Sequence, residues 1–262
     1  MRTGASKLEA HKKALSNLTA LLFSIDNNTE MAARLASAPI NPTGFRSTLS
    51  QGMAKNAGEN FINTIVYALS DILADQNDVL VDKGCPPLLK KFLTVKRRFN
   101  GKNGTSRDLD LKIEVDFCIF SKADPLNAII VSGKTRLKEV FHIGTMWKLF
   151  FDMIGDPHCM EKWGLQSEEL GEQKLIYAFA TADMIAEGGR KTQGPDVGPD
   201  GVRNLLALDA SFFDYVFVSK TYPTTATHVS PTLDLAAGRE ALFHQMGCLL
   251  DLVQQKFNLR LS

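Results

Sequence analysis

The sequence predicts an α/β fold, a mixed β-sheet flanked by helices with a helical N-terminal segment. Three observations predict it. Two strand signals follow each other at the centre of the chain, Asp110 to Phe120 (DLKIEVDFCIF), which alternates apolar and polar residues, and Asn127 to Val131 (NAIIV), which is almost wholly apolar. Segments with apolar residues at helical spacing stand before and after this pair. The composition is globular, with 44% apolar and 23% charged residues, which excludes a disordered, collagen-like or supercharged chain. At 262 residues one large domain suffices, and the expected division is an N-terminal helical segment over 1–45 and a main domain over 46–262, together one compact unit.

Taken in order, residues 6–37 are rich in Ala, Leu and Lys and poor in β-branched residues, a helical composition that the two prolines of Ala38 to Gly44 should end. Gln51 to Ala74 places Phe61, Ile62, Ile65, Val66, Leu69, Ile72 and Leu73 at helical spacing, which predicts a long core-packed helix. Lys90 to Arg107 holds seven basic residues and no acid, and the GKNG inside it reads as a hairpin turn. Asp124-Pro125 should turn the chain between the two central strands. A helix carrying Leu137, Val140, Phe141, Met146, Phe150 and Phe151 follows, and Gly155-Asp156-Pro157 stops it. Further strands are expected at Lys174 to Thr181 and Phe212 to Ser219, separated by the Gly/Pro-rich loop Gly188 to Gly201, and an amphipathic helix over 236–258 closes the chain.

Lys+Arg 30 against Asp+Glu 29 leaves a formal net charge of +1, so any basic surface must be local. Cys85, Cys118, Cys159 and Cys248 are scattered, none at metal-ligand spacing, and read as reduced core residues of a cytoplasmic protein. No export signal and no membrane span is expected, which leaves sequons such as Asn17-Leu18-Thr19 idle. His11, His142, His158, His228 and His244 show no HxH or HExxH spacing, so no zinc site is expected. Ser132-Gly133-Lys134-Thr135 imitates the end of a phosphate-binding P-loop, but the glycine such a loop needs five residues before Gly133 is Ala128, and no nucleotide cofactor is expected.

Three polar groups stand where a sheet would favour apolar ones: Glu114, Asp116 and Lys134. Period-two alternation puts Glu114 and Asp116 on one face, and a hairpin at Asp124-Pro125 returns Lys134 to their neighbourhood. Each singly has an ordinary reading, a solvent-facing strand residue or a residue before a helix. Together, two carboxylates and an ammonium can hold a hard divalent cation such as Mg²⁺ and place a positive group beside an attacking water, the equipment of phosphodiester hydrolysis. Glu139, five residues beyond Lys134, offers a further carboxylate.

Glu114-Val115-Asp116 followed by Ser132-Gly133-Lys134-Thr135-Arg136-Leu137-Lys138-Glu139 resembles the core of PD-(D/E)XK nucleases, type II restriction endonucleases in particular. The pattern extends over about Ser50 to Lys220, the specific residues only over Glu114 to Glu139. Asp116 and Lys134 match the first and last positions of the motif, and Ser132 stands where its second acid is expected. The resemblance implies a restriction-endonuclease-like fold and Mg²⁺-dependent, sequence-specific cleavage of double-stranded DNA by a homodimer of a restriction-modification system. It implies Asp116 as metal ligand and Lys134 as the group that positions the attacking hydroxide. Glu114 and Glu139 are the candidate second carboxylates, with Asp152 as an alternative, and Glu59 on the preceding helix is a further candidate ligand. Repair and recombination nucleases share the superfamily, and a DNA-binding or regulatory protein that keeps the fold without activity is the rival that Ser132 supports.

For DNA contacts the candidates are Lys96, Arg97 and Arg98 in the basic run, which reads equally as a solvated face, and Arg136 beside the motif. Arg190, Lys191, Gln193, Arg203 and Asn204 in the polar loop are types that pair with base edges, and Lys220 with the hydroxyls of Thr221 to Ser230 suits phosphates.

Overall fold

The computed structural model describes residues 6–19, 58–100, 106–134, 141–166, 175–182, 212–219, 229–230, 233 and 243–261. The helices are α1 (Lys7–Ser16), α2 (58–72), α3 (Pro87–Lys90), α4 (Phe141–Ile154), α5 (Pro157–Trp163) and α6 (Cys248–Lys256). The strands are β1 (Val79–Lys83), β2 (Thr94–Asn100), β3 (Ser106–Lys112), β4 (Phe117–Ser121), β5 (Ala128–Lys134), β6 (Leu165–Gln166), β7 (Ile176–Thr181), β8 (Tyr215–Val218), β9 (Val229–Ser230) and β10 (Phe243–Gln245). The fold is α/β, as the alternation of periods predicts.

Seven strands form the main sheet in the order β1-β4-β5-β7-β8-β10-β9. β4 runs antiparallel to its neighbours β1 and β5, and β5, β7, β8, β10 and β9 run parallel. The turn at Asp124-Pro125 does join β4 to β5, and α4 and α5 lie on the connection that carries β5 over to its parallel neighbour β7. Both faces of the sheet are covered, so its central strands are buried almost throughout. On one face α1, α2 and α6 pack through Leu15, Phe61, Ile65, Leu69, Leu249 and Val253 against Phe117, Ile119, Ile129, Val131, Ala178 and Phe217. On the other, α4 contributes Phe151, and Leu93, Val95, Ile113 and Leu165 cover Cys118, Phe120, Ile130, Tyr177, Phe179 and Val218. Among the described residues no helix is long and apolar enough to cross a membrane.

Two sequence expectations are corrected here. The single strand over Asp110 to Phe120 is two: β3 ends at Lys112 and pairs in a separate sheet of order β3-β2-β6, whereas β4 begins at Phe117 in the main sheet. Alternation persists through Ile113 to Asp116 because the chain stays extended while it changes sheets, and a pattern of burial cannot report which partner buries it. Among the described residues the closing helix covers Cys248–Lys256, and Phe243–Gln245 before it forms β10, since its three residues find parallel partners on both sides. The turn Gly101 to Gly104 within the basic run and the loop Gly188 to Gly201 lie outside the described residues, as does the N-terminal stretch from 20 to 57.

The N-terminal helix shares the core. Leu8 and Leu15 are buried with α6, Lys12 pairs with Asp251 at 2.7 Å, and His11 and Lys7 both reach Asp71 at the end of α2. Thr19, 1% exposed, donates its hydroxyl to the carbonyl of Ala182 at 2.6 Å and lies 2.7 Å from the hydroxyl of Ser219, both just past the ends of adjacent parallel strands. Thr19→Val keeps the volume and removes both bonds, leaving buried polar groups unmet. We expect it to lower unfolding free energy by about 1–3 kcal/mol in urea titrations, with an unchanged dependence on denaturant concentration.

Candidate active site

Asp116 is placed by its main chain. Its N–H donates to Val131 in β5 at 3.0 Å, and its carbonyl accepts from Gly84, just beyond β1, at 2.7 Å. Gly84 turns there with φ +81°, a conformation that costs glycine nothing. The side chain faces the α4 layer with Ser132 and Lys134, which share its side of the sheet by alternation. Oδ2 of Asp116 accepts from the Gly133 N–H at 2.7 Å, from the Ser132 hydroxyl at 3.4 Å and from the Lys134 ammonium at 3.4 Å. Its Oδ1 takes none of these three contacts.

Lys134, the last residue of β5, also donates to Glu114 Oε1 at 3.3 Å. The ammonium therefore bridges two carboxylates, and the three groups carry a net charge of −1. Glu114 is not on a strand with Asp116. It lies on the extended connector from Ile113 to Val115, which is fixed at one end by the bond from Ile113 N–H to Leu93 at 2.9 Å. The connector is fixed again where the Tyr177 hydroxyl donates to the Glu114 carbonyl at 3.2 Å. Side-chain exposure grades across the site, from 16% at Lys134 through 23% at Asp116 to 48% at Glu114, so the group opens outward on the glutamate side.

The other face of the site is closed tightly. A Cβ on Gly133 would stand 2.2 Å from Cδ1 of Ile62 on α2, which explains a glycine between Ser132 and Lys134 without any P-loop. Glu59 is exposed on α2, the helix that packs on this opposite face, and the structure does not join it to Glu114 and Asp116. Among the described residues no three His, Cys, Asp or Glu side chains gather as a metal cage. The candidate ligands Glu114 and Asp116 are hard oxygen donors, and Mg²⁺ is commonly held by one or two carboxylates with waters, so the donor set fits that ion in kind. Glu139 and Arg136 lie outside the described residues, as do Arg190, Lys191, Gln193, Arg203, Asn204 and Lys220.

Asp152, the alternative second acid, is engaged elsewhere. It pairs with Lys148, whose side chain is 1% exposed and lies 3.7 Å from Asp214, and Asp214 accepts the Tyr177 N–H at 2.8 Å. These ion pairs anchor α4 beside the starts of β7 and β8, away from Lys134 at the end of β5.

The basic run forms a β2–β3 ribbon whose acids come from its second strand. Arg98 lies across from Asp108 and Lys96 across from Asp110. Nε of Arg98 donates to Asp108 Oδ1 at 3.0 Å, and this bond holds the Asp108 carboxyl below its ordinary range. Lys96, Arg97 and Arg98 are all exposed.

Sequence reasoning missed Tyr177, which signals itself only as one aromatic in an apolar strand. It is fully buried between the rings of Phe151 and Phe213, stacked at centroid distances of 5.6 and 5.8 Å. Burial, then the charges of Asp116 and Glu114, push its phenol above the ordinary value of 10. No protein-family model matches the chain, and no curated protein sequence matches it.

A raised phenol favours the protonated folded state, so its contribution is intact below pH 10 and is lost as pH rises further, when the unfolded chain releases a proton that the fold retains. Tyr177→Phe should therefore show a shallower fall in stability between pH 9 and 11 than the parent chain, measured as urea midpoints across that range. Parallel slopes would contradict this environment.

Proposed function

We propose that the chain is a Mg²⁺-dependent endonuclease of double-stranded DNA, of the type II restriction kind. The observation that carries the reading is the convergence of Lys134 on Glu114 and Asp116, 3.3 and 3.4 Å away, at the mouth of the β4–β5 hairpin. The resemblance of these residues to the PD-(D/E)XK motif supports it, and so does the position of Lys134 at the end of the strand that follows Asp116. Sequence-specific cutting, a homodimer with one site per strand and a cytoplasmic setting complete the proposal.

Glu114 and Asp116 would hold the ion, with Glu139 as a further candidate. When bound, such an ion would offset phosphate charge and lower the pKa of a coordinated water, whose proton would pass to solvent. Lys134 orients the attacking hydroxide and offsets charge on the pentavalent transition state. A bond forms from hydroxide oxygen to phosphorus, the bond from phosphorus to one ester oxygen breaks, and the departing oxygen takes a proton from water. Gly133 N–H and the Ser132 hydroxyl hold Asp116 in one orientation, so its carboxylate is organised before substrate arrives.

Ser132 also favours a second reading, a protein that binds DNA on this scaffold without cutting it, because a hydroxyl occupies the place of an acid. Incubation of the chain with plasmid and phage DNA, in Mg²⁺ and in EDTA, separates the two. Discrete Mg²⁺-dependent fragments are expected. Lys134→Ala should abolish them while DNA affinity stays within about tenfold, because the loss is in transition-state stabilisation. Full activity of Lys134→Ala would end the assignment, and DNA bound but intact under all conditions would favour the non-cutting reading.

A further inference from the structure

Among the described residues, beyond the point where β6 pairs with Lys96 and Arg97, β2 and β3 pair only with each other, and Arg98, Asn100, Ser106, Arg107 and Asp108 are exposed. The two strands form a ribbon standing off the body. At its root Val95 is buried in the core, so the alternate residues of β2 point away from the protein. Register then assembles one outward face from Lys96, Arg98 and Asn100 on β2 and Ser106, Asp108 and Asp110 on β3. All six are polar, and all are types that bond to base edges or phosphates. Residues 94–112 hold six basic and two acidic residues, a net +4 in a chain whose total is +1, so the remainder is net −3. The ribbon is the positive part of an otherwise acidic molecule, and β3 runs directly into the connector that bears Glu114.

Asp108 grips Arg98 along one edge, Oδ1 on Nε at 3.0 Å and Oδ2 on Nη2 at 3.4 Å. That grip leaves the Nη1 hydrogens and the second Nη2 hydrogen, the end-on pair that matches the two acceptors N7 and O6 of guanine. A guanidinium fixed by a carboxylate loses less freedom on binding than a free one. Two strands about 4.8 Å apart fit a major groove about 12 Å wide.

Resting on the reading of this chain as a protein that acts on duplex DNA, we propose that the β2–β3 ribbon enters the major groove with this face against the bases. Arg98, held by Asp108, is then a specificity-determining side chain that selects guanine. Arg97 and Arg107 alternate onto the opposite face, the one that carries Val95, away from the bases. The ribbon is continuous with the candidate active site through Ile113 to Asp116, so the base it reads lies at a set distance from the bond that is cut.

The test is selection by binding from a randomised duplex library, with the full chain and Ca²⁺ in place of Mg²⁺, followed by sequencing of the bound fraction. The parent chain should enrich sites with an invariant guanine, and Arg98→Ala should lose preference at that position alone, by about ten- to a hundredfold. Asp108→Ala should relax the same position, and 7-deazaguanine placed there should mimic Arg98→Ala. An unchanged preference in Arg98→Ala overturns the proposal. So does a uniform loss of affinity over all sequences with the salt slope reduced by about one, the mark of a phosphate contact. Duplex bound selectively but never cut in Mg²⁺ overturns the hydrolytic reading and leaves the ribbon intact, whereas no binding to duplex DNA overturns both.

Discussion

Asp116 is held by its backbone before its side chain does anything. Hydrogen bonds to β5 on one side and from Gly84 on the other extend the antiparallel ladder one residue past the start of β4. An orphaned main-chain group in this half-buried place would be costly, so the ladder leaves the chain no other path. With Cα fixed, alternation along β5 delivers Ser132 and Lys134 to the same side of the sheet, and the Gly133 N–H completes the carboxylate's orientation. The site is a consequence of strand register.

Register also sets what surrounds the site. The layer of α2 closes one side through Ile62, and the stacked rings of Phe151, Tyr177 and Phe213 fill the other, with the Tyr177 hydroxyl reaching the connector carbonyl of Glu114. Glu114 is thus positioned by a bond to its main chain, while its carboxylate remains half exposed. A firmly held aspartate thus stands beside a more accessible glutamate, and one lysine bridges them.

The fold class, the α2 helix, the β4–β5 hairpin and the strands at β7 and β8 were legible because each is written in local periodicity or turn chemistry. Glu114, Asp116 and Lys134 were legible as a group, since polar residues beside a buried strand pair are conspicuous. The break between β3 and β4 was not, because an extended connector alternates just as a strand does. β10 was hidden inside a helical pattern, where three residues are too few to establish a period. Tyr177 was hidden for a different reason: its importance lies in where its hydroxyl ends, and no spacing in the sequence records that. The basic run at 96–98 was visible, but the acids that face it, Asp108 and Asp110, came into register only through the pairing of β2 with β3.

By itself, then, the sequence determined the alternation of helix and strand, the apolar faces that both layers cover, and the presence of two carboxylates and a lysine near one hairpin. Tertiary structure alone decided that Glu114 and Asp116 lie at a junction between two sheets, that Asp152 serves Lys148, and that the basic run stands out as a ribbon with a paired polar face. The physical reason is range. Helical and strand periods, turns and caps arise from contacts within a few residues and leave their mark on composition. Sheet partners, hydrogen bonds such as that from Tyr177 to Glu114, 63 residues apart, and the opposition of charges across strands depend on contacts that local pattern does not encode.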